Sequence, residues 1–351
     1  MSKQLCTTLW EGFDKVIEAR AALQKLLDNS DQDGLAADVV ASVLKIAIYQ
    51  TSEYEALLNN SVTLPDDRSI YATDYLALCK LATDNGLDTQ LVLSELEPDS
   101  LNAAGRVSRL MLDKLGLVNI SALKALKALN LLSLHKNQVK DISPIQNLTA
   151  LTALYLGNNQ ITDISPIQNL SALTELHLEN NQITDFSPIE KLTGLTHLGL
   201  KQNKIVDIKL IQNLTALTYL DLQDNEIVDI RPVRFLTSLT RLMLGNNQIE
   251  DITPVRNLTN LTWLNLHNNR IRDISPIQNL VELDWLRLQD NEIENLSPIQ
   301  KLTKLSNLFL HNNRIVDLSP ILHLNPKTSI SCGTNPLSAA SQAIKAARCS
   351  S

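Results

Sequence analysis

One asparagine returns every 22 residues through most of this chain: Asn137, Asn159, Asn181, Asn203, Asn225, Asn247, Asn269, Asn291 and Asn313, with a tenth copy at Asn335. The residues around it read leucine, any residue, leucine, two residues, asparagine, one residue, then Ile, Val or Leu. Leu154-Tyr155-Leu156-Gly157-Asn158-Asn159-Gln160-Ile161 is a clean copy. Self-similarity at a fixed period of this size is the signature of a solenoid, in which each unit packs only on its neighbours.

The alternation at Leu154, Tyr155 and Leu156 is that of a short strand with one face buried and one exposed. One such strand cannot bury its own leucines, but stacked copies can, as a parallel sheet along one side of the coil. Where the chain turns away from the sheet, backbone groups point into the core without ladder partners. Each costs about 1–3 kcal/mol if left unsatisfied. Asparagine carries donors and an acceptor on a short arm, so the ladder asparagines are expected to satisfy the turn backbone of their own coil and the next. This is a structural role, not a catalytic one.

The second half of each repeat has its own pattern. In Ile161-Thr162-Asp163-Ile164-Ser165-Pro166-Ile167 the isoleucines fall at a spacing of three, one face of a tight helical turn. Ser165-Pro166 reads as an N-cap followed by proline at the first helical position. The pair recurs at Ser143, Ser187, Thr253, Ser275, Ser297 and Ser319, each followed by proline. Lys209-Leu210 breaks the rule, and a different convex turn is expected there. Asp141, Asp163, Asp185, Asp207, Asp229, Asp251, Asp273 and Asp317 form a second ladder, with Asn295 in place of one aspartate. One carboxylate per coil is too few for a calcium site, which takes about six to eight oxygens. Local turn hydrogen bonding is the expected role.

These residues carry a resemblance. Leu-x-x-Leu-x-x-Leu-x-Leu-x-x-Asn-x-Ile-x-Asp-Ile-x-Pro-Ile is similar to the 22-residue leucine-rich repeat of bacterial internalins, over residues 117–337. The eukaryotic phosphatase-regulator type of repeat is also similar. The resemblance implies an α/β fold: a right-handed leucine-rich-repeat solenoid whose concave parallel sheet recognises protein. Internalins proper are secreted, and in that respect the N-terminus departs from the pattern.

Residues 1–106 lack the repeat and read as an all-α domain. Residues 8–28 carry a helical apolar stripe, and further helices are expected over 35–49, 53–58, 70–82, 88–96 and 99–113. Asn85-Gly86 is a helix stop, and the residues from Leu64 to Asp67 read as a loop. Asp31, Asp33 and Gly34 resemble the start of an EF-hand but fail its ligand pattern. The domain also reads as the solenoid's N-terminal cap. It is followed by about ten repeats over 107–337, with Leu110-Met111-Leu112 as a degenerate first strand, and by a capping helix over 338–351.

Charge divides unevenly. Residues 1–106 hold 17 acidic and 8 basic residues, and the remainder is close to neutral, giving a net charge of −7. This argues against nucleic acid as the main ligand. No run of about 18 apolar residues spans a membrane, and no N-terminal signal is visible. Cys6, Cys79, Cys332 and Cys349 are far apart with no CxxC pair, which argues against zinc or a disulfide framework. Cys332 occupies a leucine position and reads as a small buried thiol, with a Cys332–Cys349 disulfide as the alternative. A reduced, cytoplasmic monomer is expected.

Strand alternation selects the side chains that leave the concave face. Tyr155, His177, His197, Tyr219, Arg241, Met243, Trp263, Trp285, Arg287, Phe309 and His311 are the candidate partner-binding residues. From Tyr219 to Phe309 they form one contiguous patch of the types enriched in interface hot spots. Glu175 beside His197, with His177 diagonal, could make an acid–base pair. No serine or cysteine nucleophile projects beside them, and an open sheet lacks a water-excluding pocket. No catalytic residue, metal or cofactor is therefore expected. The reading is a protein-interaction module with a protein partner on its concave face. The alternatives are an exported effector or surface protein engaging a host protein, and a regulatory subunit of an enzyme such as a phosphatase.

Overall fold

The computed structural model describes residues 61–64 and 68–349. The helices expected over 8–28, 35–49 and 53–58, and the Asp31–Asp33 motif, lie outside the described residues. Among the described residues, eleven three-residue strands build one parallel sheet in strict chain order. They are β3 (Arg109–Met111), β4 (Leu131–Ser133), β5 (Ala153–Tyr155), β6 (Glu175–His177), β7 (His197–Gly199), β8 (Tyr219–Asp221), β9 (Arg241–Met243), β10 (Trp263–Asn265), β11 (Trp285–Arg287), β12 (Asn307–Phe309) and β13 (Ser329–Ser331). Register is set by the middle residue: Leu264 pairs with Leu242 on one side and Leu286 on the other. These leucines are fully buried, so a one-residue slip would turn the whole row outward.

Each strand ends in a turn whose last residue before the ladder asparagine is left-handed, from Lys136 through Asn158, Asp224 and Asn312 to Thr334. Asn and Asp tolerate that conformation best among non-glycine residues, which explains why they recur there. Asn159 shows how the ladder works. Its Nδ2 donates to Leu156 O of its own coil and to Leu134 O of the preceding coil, each at 2.9 Å. Its Oδ1 accepts from Val139 N at 3.0 Å. The shared coil is the preceding one, not the following one.

One rung is incomplete. Asn203 Oδ1 is buried without a hydrogen-bond partner. Gln182 N donates to Ile161 O and Glu226 N to Ile205 O, but among the described residues the equivalent bond from Lys204 to Ile183 is missing. Phe186 stands in that coil where others carry isoleucine or leucine. The larger ring accompanies a looser join between these two coils.

The convex side is made of 3-10 turns. Serine is their first residue and not their cap. Asp163, two residues upstream, accepts from Ser165 N at 2.7 Å and from Ser165 Oγ at 2.9 Å. This corrects the reading of Ser-Pro as the cap. It also explains why the turn at Lys209–Asn213 is no different from its neighbours, contrary to expectation. Asp207 Oδ1 accepts from Lys209 N at 2.7 Å, so the cap survives without proline. Asn295 Oδ1 does the same for Ser297 N.

Before the sheet, β1 (Ser61–Thr63) and β2 (Ser69–Tyr71) pair antiparallel, followed by α1 (Ala72–Asp84) and α2 (Thr89–Ser94). The strands were not anticipated. The helix expected over 99–113 does not form. Asn102 Oδ1 accepts from Ala104 N and Arg106 N to close a turn instead, and Leu110 enters the sheet. Gly105 sits in that turn at φ +71°, where a Cβ would lie 2.9 Å from Ser69 O.

The core is continuous from this segment into the coils. Asp74 is fully buried and accepts from Val107 N at 2.8 Å and from Arg106. Asn85 donates to Asn119 O and accepts from Val118 N, tying the end of α1 to the first convex turn.

At the far end, α3 (Ala339–Arg348) is capped by Ser338 Oγ, which accepts from Ser341 N. Cys332 and Cys349 form a disulfide with a Cα–Cα separation of 6.0 Å. The thiol expected at Cys332 is thus corrected. Its side chain is buried at the leucine position, but α3 folds back and brings Cys349 to it. Cys79 is buried.

Candidate functional site

The middle leucine of each strand faces the core, so the residues on either side face the concave surface. Each of the eleven candidate residues lies on this face or at its edge. The structure joins them in two groups, not one patch.

The first group spans β5 to β8. Tyr155 stacks on His177 with ring centroids 5.0 Å apart. His197 stacks on Tyr219 at 5.8 Å, and His177 lies 6.3 Å from Tyr219. Tyr219 therefore groups with the histidines. Most of the polar groups here find partners within the protein. Tyr155 Oη donates to Glu175, and His177 Nδ1 pairs with Glu179 Oε1 at 2.6 Å. Asp221 accepts from Gln223 N and from its side-chain amide. Lys201 pairs with Asp224 at 3.2 Å. Glu175 and His197 are register partners, but each bonds elsewhere, His197 Nδ1 to Thr196 Oγ1. Among the described residues no three His, Cys, Asp or Glu side chains are grouped as metal ligands.

Crowding has electrostatic consequences. Burial, then the bond to Glu175, pushes the Tyr155 phenol up to about 12. Burial and the carboxylates of Asp221 and Glu179 push Tyr219 to about 12 as well. Both remain neutral donors at physiological pH. Burial also raises Asp221 above the usual carboxylate range, against the hydrogen bonds from Gln223. Gly199 provides the space for this arrangement, since a Cβ there would lie 1.9 Å from a Glu179 carboxylate oxygen.

The second group spans β9 to β12. Trp263 and Trp285 stack face to face, 4.4 Å between centroids and 4° between planes. Phe309 lies 5.6 Å from Trp285 at a tilt. The guanidinium of Arg287 sits 4.9 Å from the Phe309 ring centre and 5.8 Å from that of Trp285. Mutual stacking leaves the tryptophans half-buried, less exposed than strand alternation alone implied. His267 Nδ1 pairs with Asn265 Oδ1 at 2.7 Å, seated over Gly245. Burial and the Arg287 charge hold that histidine below its ordinary value. His311 Nδ1 reaches Ser331 Oγ at 3.2 Å.

Unlike the first group, this one leaves polar atoms unmatched. Trp263 Nε1, Trp285 Nε1, Arg287 Nε and Gln289 Oε1 are buried with no hydrogen-bond partner in the protein. Arg241 and Arg287 form no ion pair among the described residues. Sequence alternation found the aromatic and cationic members. It placed Glu179, Asp221, Gln223, Asn265 and Gln289 near this face without selecting them, because polar residues at strand ends are unremarkable until their partners are known.

Comparison with known proteins follows from this geometry. Models of leucine-rich repeats in two copies match residues 127–169, 171–215 and 215–257, and a leucine-rich-repeat model matches 237–293. No curated protein matches the sequence. Among solved structures, an internalin (inlF) of Listeria monocytogenes is 35% identical over 66% of this chain and 74% of its own, with a TM-score of 0.59. Internalin C2 (inlC2) of the same organism is 32% identical over 66% of this chain and 90% of its own, with a TM-score of 0.50. A plant peptide hormone receptor, solved in complex with RGF2, is 22% identical over 63% of this chain and 38% of its own, with a TM-score of 0.56, and shows likeness of fold alone. Leucine-rich-repeat proteins, internalins and receptor ectodomains among them, are protein-interaction modules. From its 22-residue repeat, its single parallel sheet and its identity to two Listeria internalins, this chain belongs to the internalin-type leucine-rich-repeat proteins.

Proposed function

We propose that this protein captures a protein partner on its concave face, with affinity concentrated around Trp263, Trp285, Arg287 and Phe309 and extended by Arg241, Met243 and His311. The observation that carries this is the Trp263–Trp285 stack, set beside an arginine without a counter-ion. Stability alone does not require half-exposed tryptophans on a solvent face, and Trp and Arg are the residues most enriched where binding energy concentrates. Tyr155, His177 and His197, whose polar groups already have partners, form a lesser flank together with Tyr219. No nucleic acid and no cofactor enter this reading. The segment containing α1 and α2 acts as the solenoid's N-terminal cap, a role supported by the buried Asp74 and the Asn85 bridge.

The test is capture of the partner by the intact chain and by a Trp263→Ala, Trp285→Ala variant. Capture is lost while the thermal transition stays within a few degrees. Survival of capture would move the site elsewhere, and the apolar groove lined by Val206, Val228 and Phe235 becomes the next candidate.

The disulfide favours a second element of the reading. Disulfides persist in oxidising compartments and are rare in the cytosol. Cys332–Cys349 supports export and engagement of an extracellular or host protein over the cytoplasmic setting first expected. Among the described residues no helix is long and apolar enough to cross a membrane. Alkylation of free thiols at lysis of the native source distinguishes the two. Cys332 and Cys349 stay unmodified in an exported protein and are labelled in a cytoplasmic one.

A further inference from the structure

Resting on the concave-face reading, we infer that the partner presents an acidic side chain, an Asp or Glu carboxylate on an extended segment, to Arg287, with an adjacent apolar residue on the Trp263–Trp285 stack. The argument is one of charge left over. Around β5 to β8 the charged groups are matched within the protein: Glu175 with Tyr155, Glu179 with His177, Asp221 with Gln223, and Lys201 with Asp224. Around β9 to β11, Arg241 and Arg287 project onto the same face without a carboxylate partner among the described residues. The two aspartates that share the surroundings of His267 with Arg287 are otherwise engaged. Asp290 accepts from Asn312 Nδ2, and Asp224 accepts from Asn246 Nδ2 and pairs with Lys201.

Arg287 is also held in place. Its guanidinium lies against Phe309 and Trp285, so less side-chain freedom is lost on binding than for a mobile surface arginine. A planar fork fixed in this way matches a carboxylate in a bidentate geometry. Arg241 lies two strands away, about 10 Å across the sheet, and adds to the field that draws an anion in.

Gln289 narrows the choice among anions. It is nine-tenths buried, and its Oε1 has no donor. A peptide supplies both an acceptor for Arg287 and a backbone N–H for Gln289. A lone phosphate supplies acceptors but no backbone N–H and no apolar neighbour for the tryptophan stack. A polyanion such as nucleic acid is disfavoured by the net charge of −7.

The test uses random dodecapeptides displayed on phage and selected against the intact chain. Sequences that also bind the Trp263→Ala, Trp285→Ala variant are subtracted. The expected survivors carry Asp or Glu next to an apolar residue. A synthetic survivor should lose about tenfold or more in affinity when its acid becomes the amide. Arg287→Gln should cost a similar factor, and the two changes together should cost little more than either alone, because each removes the same contact. Arg287→Lys should recover only part, since it keeps the charge and loses the fork. Affinity should also weaken with added salt.

Survivors that ignore both their own acid and Arg287→Gln would overturn the acidic segment while leaving the concave-face reading intact. The same holds for survivors that carry no acidic residue, or for an absence of survivors. The concave-face reading fails separately, if capture of the whole partner is indifferent to the tryptophans.

Discussion

The two halves of the concave face are built on coils of one pattern and differ in the side chains they project. From β5 to β8 most of the projecting polar groups bond within the protein. From β9 to β12 two indole N–H groups, an arginine Nε and a buried amide oxygen do not. A buried polar group without a partner costs about 1–3 kcal/mol, and a fold maintained only for stability would not concentrate four of them on two successive coils. The matched half is a finished surface. In the proposed function the unmatched half is the part left for a partner outside the chain. The coil beneath both halves is the same, so the difference lies in side chains that vary from repeat to repeat.

The largest expected effect of that difference is on binding. Trp285→Ala should weaken capture about thirtyfold or more, as removal of a hot-spot aromatic does. Tyr155→Ala and His177→Ala should each cost under about threefold, the ordinary cost of a flanking contact. Equal losses on the two sides, measured by surface plasmon resonance with the captured partner, would break the comparison.

The asparagine ladder offers the next effect. Asn269 makes donor bonds to Leu244 O, Leu266 O and His267 O and accepts from Ile249 N. Asn269→Ala should destabilise the protein by about 3 kcal/mol or more, since several buried groups lose partners together. Asn203→Ala should cost visibly less, because its Oδ1 has no donor to lose. Chemical denaturation of the two variants measures the difference, and equal costs would show that the loose join is not a property of the protein in solution.

A smaller effect sharpens the contrast between the halves. Tyr155→Phe removes the donor to Glu175 and should cost about 1 kcal/mol, equivalent to roughly 1–2 °C in a chain of this size. Trp285→Phe removes an N–H that has no acceptor while keeping a ring in the stack. It should cost less than Tyr155→Phe despite deleting more atoms. The reverse order in thermal melts would mean that the indole N–H is satisfied after all.

The smallest effect is in pH dependence. Asp221 is raised above the unfolded value of 3.8 by burial. Its linked contribution is therefore present below that value and lost as pH rises through the folded value. The convex aspartates behave oppositely. Asp317 is held low by its bonds from Ser319, and Asp185 by those from Ser187. Their contribution is present above 3.8 and lost as pH falls through the folded value. Asp221→Asn should remove a loss of stability on going from acid towards neutral pH, and Asp317→Asn should remove a loss on acidification. Melting temperatures across that range show whether the two variants change slope in opposite senses.

Much of this was legible in sequence because the period is so regular. Leu132, Leu154 and their successors could only be one buried row, and Tyr155, Trp263 and Trp285 could only lie beside it. Less visible was what each projecting group would bond to. The sequence places Glu175 beside His197, but the Tyr155 hydroxyl reaches Glu175 from the preceding strand, and this is a matter of side-chain reach, not spacing. The turn cap was misassigned to serine because Ser-Pro imitates an N-cap, while the aspartate two residues earlier does the work. The strand pair β1–β2 was missed because three-residue strands carry almost no periodic signal. The disulfide was set aside because a separation of 17 residues gives no hint that α3 folds back on the last coil.

The central claim is that the partner occupies the unmatched half. Hydroxyl-radical footprinting of the full chain, free and with the captured partner bound, tests it residue by residue. The account predicts that oxidation of Trp263, Trp285, Met243 and Phe309 falls on binding while Tyr155 is oxidised at its free rate. Tryptophans oxidised equally in both states, with protection appearing at Tyr155 or on the convex side, would contradict it.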